Sequence, residues 1–451
     1  MGLFYLKIPR YNLKSGSEMT KQQIISKLIQ YLKASPTPFH AVNFMTDRLD
    51  DCGFRRLFEG EKWRLKKGEG YYLTKGDSSL IAFRLGKTAD PVDGVKIVGA
   101  HTDSPALKIK PSPLINFKNY LKLGVEVYGS PLLKTWFDRD LSIAGRIAYS
   151  DSTGKVKTVL VDFKKPVAVI PNLAIHFALP TGDKDKVNRQ TELPAILMQS
   201  EPKARENARS FQDILLEQVK RQLPKLRISQ IDDADLYLYD TQHPTVVGYN
   251  GEFLCGGKLD NLVSCFAGLQ ALIDSNIEKT SMLVLNDYEE IGSNSSTGAA
   301  GPFLKSVLER ILKNREDFYR GISQSILVSV DNSHGVHPNY PQRYDENHSP
   351  ILNKGPVLKI NANHRYATNA ETGSFFRQVC KKAEVPLQEF VNRSDLNCGS
   401  TIGPITSTNL GISALDIGIP TFAMHSIRET CGCQDILYLY QALNSLFDSS
   451  S

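Results

Sequence analysis

The feature that most constrains this chain is an apolar run that stops abruptly at two carboxylates: Ser281-Met282-Leu283-Val284-Leu285-Asn286, then Asp287-Tyr288-Glu289-Glu290-Ile291-Gly292-Ser293. Six residues of that character predict a buried strand, and the Gly-Ser that follows predicts a turn. An isolated Glu-Glu pair is ordinarily a solvated loop feature. Here the pattern recurs, which points instead to carboxylates delivered into a cleft.

The run Val95 to Ala100 ends in His101-Thr102-Asp103-Ser104-Pro105, and Ser325 to Val330 ends in Asp331-Asn332-Ser333-His334. Late in the chain Thr421-Phe422-Ala423-Met424 ends in His425-Ser426-Ile427-Arg428-Glu429. Four apolar strands therefore stop at His101, Glu289-Glu290, Asp331 and His425. A fifth stretch, Gly256-Gly257-Lys258-Leu259-Asp260-Asn261, precedes a helical run from Leu262 to Ile273. Asp260 is either the N-cap of that helix or a carboxylate on the rim of the same cleft.

Around these ends the pattern alternates strand and helix. Ile24, Ile25, Leu28, Ile29 and Leu32 have helical spacing; Ser35-Pro36-Thr37-Pro38 breaks it, and a second helix is predicted from Phe39 towards Leu49. Strands are predicted at 71–74 and 80–83, helices at about 372–383 and 435–447. Such alternation predicts an α/β domain with a central mixed sheet flanked by helices, whose ligands bind beyond the carboxyl ends of the strands. From about Ala106 to Gln242 the character changes to short alternating runs punctuated by Gly, Pro and Asp, with one charged helical segment near 204–223. This predicts a mostly β inserted domain, 106–242, between two parts of the α/β domain, 19–105 and 243–451. A chain of 451 residues is long enough for two cores.

Bulk properties exclude several classes. No apolar run approaches the roughly 20 residues of a membrane span. A net charge of +6 without basic blocks argues against nucleic acid. Seven scattered cysteines, without a paired framework, fit free thiols in a cytoplasmic compartment. Residues 1–18 carry Lys7, Arg10 and Lys14 with no acid before Glu18 and read as a flexible extension.

Carboxylates crowded into one crevice repel one another and raise each other's pKa unless cations compensate. With His101, Asp260, Glu290, Asp331 and His425 as ligands, three negative charges meet the four positive charges of two divalent ions. A bridging hydroxide completes the balance. Mixed imidazole and carboxylate ligation suits zinc, with manganese or cobalt as alternatives. Asp103 is placed to hold the second nitrogen of His101, as partners of metal-bound histidines do. Adjacent side chains diverge, so Glu290 can bind metal while Glu289 serves as general base. In two-metal hydrolases the ions lie about 3.5–4 Å apart and one carboxylate bridges them. Asp260 is the best candidate for the bridge.

With these residues assembled, the chain resembles the M18 metallopeptidases, and within them the aspartyl aminopeptidase branch. The resemblance spans about Thr20 to Phe447. It is carried by Ser35-Pro36-Thr37-Pro38-Phe39-His40, Ala100-His101-Thr102-Asp103-Ser104-Pro105, Lys258-Leu259-Asp260-Asn261 and Glu289-Glu290-Ile291-Gly292-Ser293. Asp331 with His337-Pro338-Asn339-Tyr340, and Ala423-Met424-His425-Ser426-Ile427-Arg428-Glu429, complete the set. The resemblance implies a zinc-dependent exopeptidase that releases N-terminal Asp or Glu from peptides. It implies terminal ligand roles for His101, Glu290, Asp331 and His425, a bridging role for Asp260, and Glu289 as base. It further implies substrate recognition by Lys359 and Tyr366, a His176 that enters a neighbouring subunit's site, and a tetrahedral dodecamer built from dimers. Tyr288 stands where relatives often carry histidine.

Two other readings stay open from sequence. One is the neutral, leucine-type branch of the same family; the other is a catalytically silent assembly scaffold.

Overall fold

The computed structural model describes residues 19–151, 153–177, 186–199, 210–228 and 230–448. The extension 1–18 and the start of the charged segment near 204 lie outside the described residues.

Helix α1 (Lys21–Ala34) begins at a capping box, in which the Thr20 hydroxyl accepts from the Gln23 N–H and the Gln23 side chain accepts from the Thr20 N–H. The Ser-Pro-Thr-Pro break ends it, and Pro38 opens α2 (Pro38–Asp51) at the first helical position, where its missing N–H costs nothing. Strands β1 (Arg55–Arg56), β2 (Gly70–Lys75), β3 (Ser79–Arg84) and β4 (Lys96–His101) follow.

The chain then leaves to build β5 (Ala106–Phe117), β6 (Tyr120–Tyr128), β7 (Leu141–Ser150), β8 (Val156–Asp162) and β9 (Ala195–Gln199). Helix α3 (Phe211–Gln222) and β10 (Asp233–Asp240) complete this region. These strands form a six-stranded antiparallel sheet in the order β8-β7-β10-β5-β6-β9. Leu107, Ile143, Val161, Leu215 and Leu236 pack into a core of its own, joined from elsewhere by Ile427.

After β11 (Thr245–Val247) and β12 (Phe253–Gly256) come α4 (Leu259–Asp274), β13 (Ser281–Asn286), α5 (Phe303–Ile311), α6 (Arg315–Ser323) and β14 (Ile326–Val330). Next are β15 (Ser333–His334), β16 (Val357–Ile360), α7 (Ala370–Lys382), β17 (Gln388–Val391) and α8 (Ile402–Leu410). The chain closes with β18 (Ser413–Gly418), β19 (Pro420–Phe422), β20 (Glu429–Gly432) and α9 (Cys433–Asp448). Residues 293–301 form turns and bends, and α5 starts at Phe303.

The central sheet is mixed and nine-stranded, in the order β1-β2-β3-β13-β4-β14-β18-β16-β17. Strand periodicity assigns its two faces. Leu283 and Leu285 of β13, with Val98 and Ala100 of β4, pack under α1, α2, α4 and α9, whereas Met282, Val284 and Ile97 pack under α5 and α6. Such two-sided burial is why these strands read as continuous apolar runs.

Strands β4, β13 and β14 are parallel neighbours, so His101, Glu289-Glu290 and Asp331 emerge at one edge of one sheet. His425 does not. The sequence places it at the end of a strand of that same sheet, but it lies between β19 and β20 of a separate five-stranded sheet, β11-β12-β20-β19-β15. Of the run Thr421 to Met424 only Thr421 is buried, with Phe422 and Met424 half-buried and Ala423 exposed, so its apolar composition does not mark a strand of the central sheet. Among the described residues no helix is long and apolar enough to cross a membrane.

Candidate active site

Two overlapping trios of metal-ligating atoms meet at Asp260. His101, Asp260 and Asp331 form one, and Asp260, Glu290 and His425 the other, with all atoms of a trio within 4.8 Å of one another. His101 Nε2 lies 3.6 Å from Asp260 Oδ1 and 3.5 Å from Asp331 Oδ1. On the other side His425 Nε2 lies 3.8 Å from Asp260 Oδ2 and 3.3 Å from Glu290 Oε2. Asp260 thus turns one oxygen to each trio. Ligand atoms at about 2.0–2.1 Å from a tetrahedral zinc ion are separated by about 3.3–3.4 Å, close to these spacings.

The donor set fits a cation on a second ground. Asp260 Oδ1 and Glu290 Oε1 are buried with no hydrogen-bond partner, a costly state for carboxylate oxygens. Burial and the neighbouring Asp331 push the Asp260 carboxyl up, and burial with the Asp260 charge pushes Glu290 well up. Positive charge placed between the trios relieves both. His101, Asp260, Glu290, Asp331 and His425 are the residues that would hold it.

Asp260 and Asn261 have non-helical dihedrals that interrupt the first turn of α4, and the Asp260 carboxylate turns to the cleft. Asp331 is brought close to its neighbours by Gly418, where an added Cβ would meet the Asp331 carbonyl oxygen at 1.9 Å.

Asp103 lies against His101 Nδ1, with its backbone carbonyl at 3.1 Å and its carboxylate at 3.5 Å. The carboxylate also accepts the backbone N–H of Glu289 at 3.2 Å and of Glu290 at 3.1 Å, and the Tyr128 hydroxyl at 2.7 Å. It therefore sets the glutamate turn. Glu289 Oε2 lies 4.0 Å from His101 Nε2, beside the ligands, and burial pushes its carboxyl up to about 8.

Lys359 is buried and not on an edge strand, because β16 lies between β18 and β17. Its ammonium donates to Asp331 O at 3.1 Å, Asp331 Oδ2 at 3.2 Å and Asn332 O at 3.1 Å, and lies 4.8 Å from the centre of the Tyr366 ring. Although burial opposes both charges, Lys359 holds the Asp331 carboxyl below its ordinary range and is itself raised by it. His176 stands apart from the cluster, on an exposed turn (Ile175–Phe177) whose flanking Leu173, Ile175 and Phe177 are also exposed. Tyr288 packs its ring 6.5 Å from that of Tyr128.

Three further residues contribute to the site without having been assigned a role from sequence. Tyr128 and Ser130 come from the six-stranded region: Tyr128 binds Asp103, and the Ser130 carbonyl lies 3.0 Å from His425 Nδ1. Glu429 holds backbone groups beneath the ligands. A cavity of about 540 Å³ opens beside the cluster, lined by Asp103, Asp260, His425, Tyr128 and Lys258; Lys359 and Tyr366 are not part of its wall.

The family described as Aminopeptidase I zinc metalloprotease (M18) matches residues 31–447. A probable M18 family aminopeptidase 2 from Pseudomonas entomophila is 51% identical over 422 residues, covering 94% of this chain and 97% of the relative. Among solved structures, a chain of the Ape4 and Nbr1 complex superposes with a TM-score of 0.91 at 36% identity, covering 97% of this chain and 88% of that one. The S. cerevisiae mApe1 dodecamer superposes at 0.81 with 30% identity, covering 94% and 96%. The match spans His101, Asp260, Glu290, Asp331 and His425, and the chain belongs to the M18 family of zinc aminopeptidases.

Proposed function

We propose that this protein is a dinuclear zinc aminopeptidase that releases N-terminal Asp or Glu from peptides. The observation that carries the two-metal reading is Asp260, one carboxylate with an oxygen turned to each of two ligand trios. His101 and Asp331 complete one site, Glu290 and His425 the other. A zinc pair held by these residues would supply Lewis acidity to the scissile carbonyl and to the attacking water. Glu289, held by Asp103 through its backbone, takes the proton of that water and returns it to the leaving amine nitrogen, so that it ends the cycle ionised as it began.

The preference for acidic residues rests on Lys359, a buried cation beside Asp331 and under Tyr366. One observation favours the leucine-type alternative: the three ammonium donors of Lys359 already meet three protein oxygens. A substrate carboxylate must therefore share that ammonium with Asp331 and Asn332. The exposed turn around His176 supports assembly into dimers and a dodecamer, in which His176 enters a neighbour's site. Residues 106–242 then form the assembly domain, and 19–105 with 243–451 the catalytic one. Seven free cysteines support a reducing, cytoplasmic setting.

The test is hydrolysis of unblocked peptides beginning with Asp, Glu, Leu or Lys, with a chelator and with zinc, manganese or cobalt restored. Chelator-sensitive release of Asp or Glu alone is expected. Preference for Leu would move the protein to the neutral branch, and no activity with any metal would leave a scaffold.

A further inference from the structure

We propose that Glu429 is a positioning residue of the metal centre, a buried carboxylate that fixes Asp260 and His425 together by accepting a backbone N–H from each. The inference rests on the reading of those two residues as metal ligands.

Glu429 is the first residue of β20 and pairs with Gly256 of β12, so its side chain starts between two loops. One loop leads through Lys258 to Asp260; the other carries His425. Its Oε1 accepts the His425 N–H at 2.9 Å, and its Oε2 accepts the Asp260 N–H at 3.0 Å. The residue is 2% exposed and makes no ion pair among the described residues. Both loops need such a tie. Lys258, Ala423 and His425 all have positive φ, of 62°, 54° and 68°, a conformation that costs a side-chain-bearing residue free energy and persists only where surrounding contacts impose it.

Only a carboxylate has two acceptor oxygens and no hydrogen at that position. Its reach across the two loops matters because Asp260 and His425 belong to the same trio, 3.8 Å apart, while Asp260 also serves the other. A shift of either backbone misplaces a ligand without touching its side chain. Groups that orient metal ligands typically cost about 10–100-fold in affinity or activity when changed.

A matched control lies elsewhere in the fold. Asp435 of α9 is equally buried and accepts two backbone N–H groups, from Asn353 at 2.6 Å and Gly355 at 2.8 Å, but the loop it ties carries no metal ligand. Full-length Glu429→Gln and Asp435→Asn are compared with wild type for zinc content and zinc affinity, for thermal unfolding with and without chelator, and for kcat and KM. Glu429→Gln presents an amide NH2 to one of the two loop N–H groups. It is expected to weaken zinc about 10–100-fold and lower kcat with KM near wild type. Asp435→Asn is expected to lose comparable stability in chelator and keep its zinc.

Full zinc at wild-type affinity in Glu429→Gln overturns the proposal, and so does equal loss of zinc in both variants. Wild-type protein that binds no zinc overturns the two-metal reading itself. If Glu429→Gln does not fold, Glu429→Asp, charged but one methylene short of spanning both loops, is measured in the same way. Failure of both to fold while Asp435→Asn folds makes Glu429 a residue of the fold and refutes the role proposed.

Discussion

Replacing Lys359 by Met removes one charge while keeping most of the side-chain volume, and two separate quantities should move. The Lys359 side chain is 3% exposed and that of Asp331 14%, and the ammonium satisfies Asp331 Oδ2 and the carbonyls of Asp331 and Asn332. Removing one member of a buried pair leaves the other uncompensated, at a cost of about 3–5 kcal/mol. Metal at the His101 site would supply positive charge to Asp331 in place of the ammonium. The loss should therefore be large in chelator and much smaller with zinc. Charge-assisted hydrogen bonds are worth about 1.5–3 kcal/mol, so if Lys359 also shares its ammonium with a substrate carboxylate, the Asp-to-Leu ratio of kcat/KM should fall about 10- to 100-fold. The assay is zinc-loaded turnover of matched Asp and Leu peptides, with thermal unfolding in zinc and in chelator. An unchanged Asp-to-Leu ratio at full zinc occupancy would remove Lys359 from specificity. Equal destabilisation in both conditions would refute the compensation argument.

Glu289→Gln should retain zinc and lower kcat about 10²–10⁴-fold, because the amide cannot accept the proton; turnover near wild type would take Glu289 out of the mechanism. Tyr128→Phe leaves Asp103 Oδ2 without its 2.7 Å donor and should destabilise the protein by about 1–3 kcal/mol, with kcat reduced through the glutamate turn; an unaltered melting temperature would contradict this. Metal-free protein should lose stability between pH 6.5 and 8.5. Burial holds the Glu289 carboxyl at about 8 and that of Asp287 at about 7, so the folded state keeps protons there that the unfolded chain has released above about pH 4.5. Stability linked to those protons is complete below the unfolded value and disappears as pH passes 8. His40 and His334, lowered by burial to about 3 and about 4, act in the opposite sense only below about pH 6.5, outside this window. A melting temperature in chelator that stays level or rises from pH 6.5 to 8.5 would show that the acid cluster does not govern the metal-free protein.

What could be read from sequence was set by locality. Strands β4, β13 and β14 are buried on both faces, so their apolar runs and abrupt polar ends locate His101, Glu289-Glu290 and Asp331 without a structure. The membership of His425 in another sheet was not legible, because a three-residue strand such as β19 has no periodicity that names its partners. Asp103 was singled out for the right neighbourhood. Its principal bonds go to backbone N–H groups at Glu289 and Glu290, which no side-chain pattern advertises. Tyr128 and Ser130 are not legible for the same reason: each reaches the site from the six-stranded region through one atom. Glu429 is visible at the end of the His425 motif, but its bonds to the backbone N–H groups of His425 and Asp260 are not. Lys359 stood out as a cation near the metals, but its bonds to Asp331 and Asn332 depend on strand order.

Because the candidate metal-holding side chains come from two sheets, the cluster closes only when those sheets meet. His101, Asp260, Glu290 and Asp331 all precede His425 in the chain, and His425 stands on the turn between β19 and β20 of the second sheet. The trio of Asp260, Glu290 and His425 is therefore complete only once that sheet has docked beside the first, with Glu429 at the start of β20 joining the two. A fold in which the nine-stranded sheet had formed alone would hold the His101 trio and lack the other.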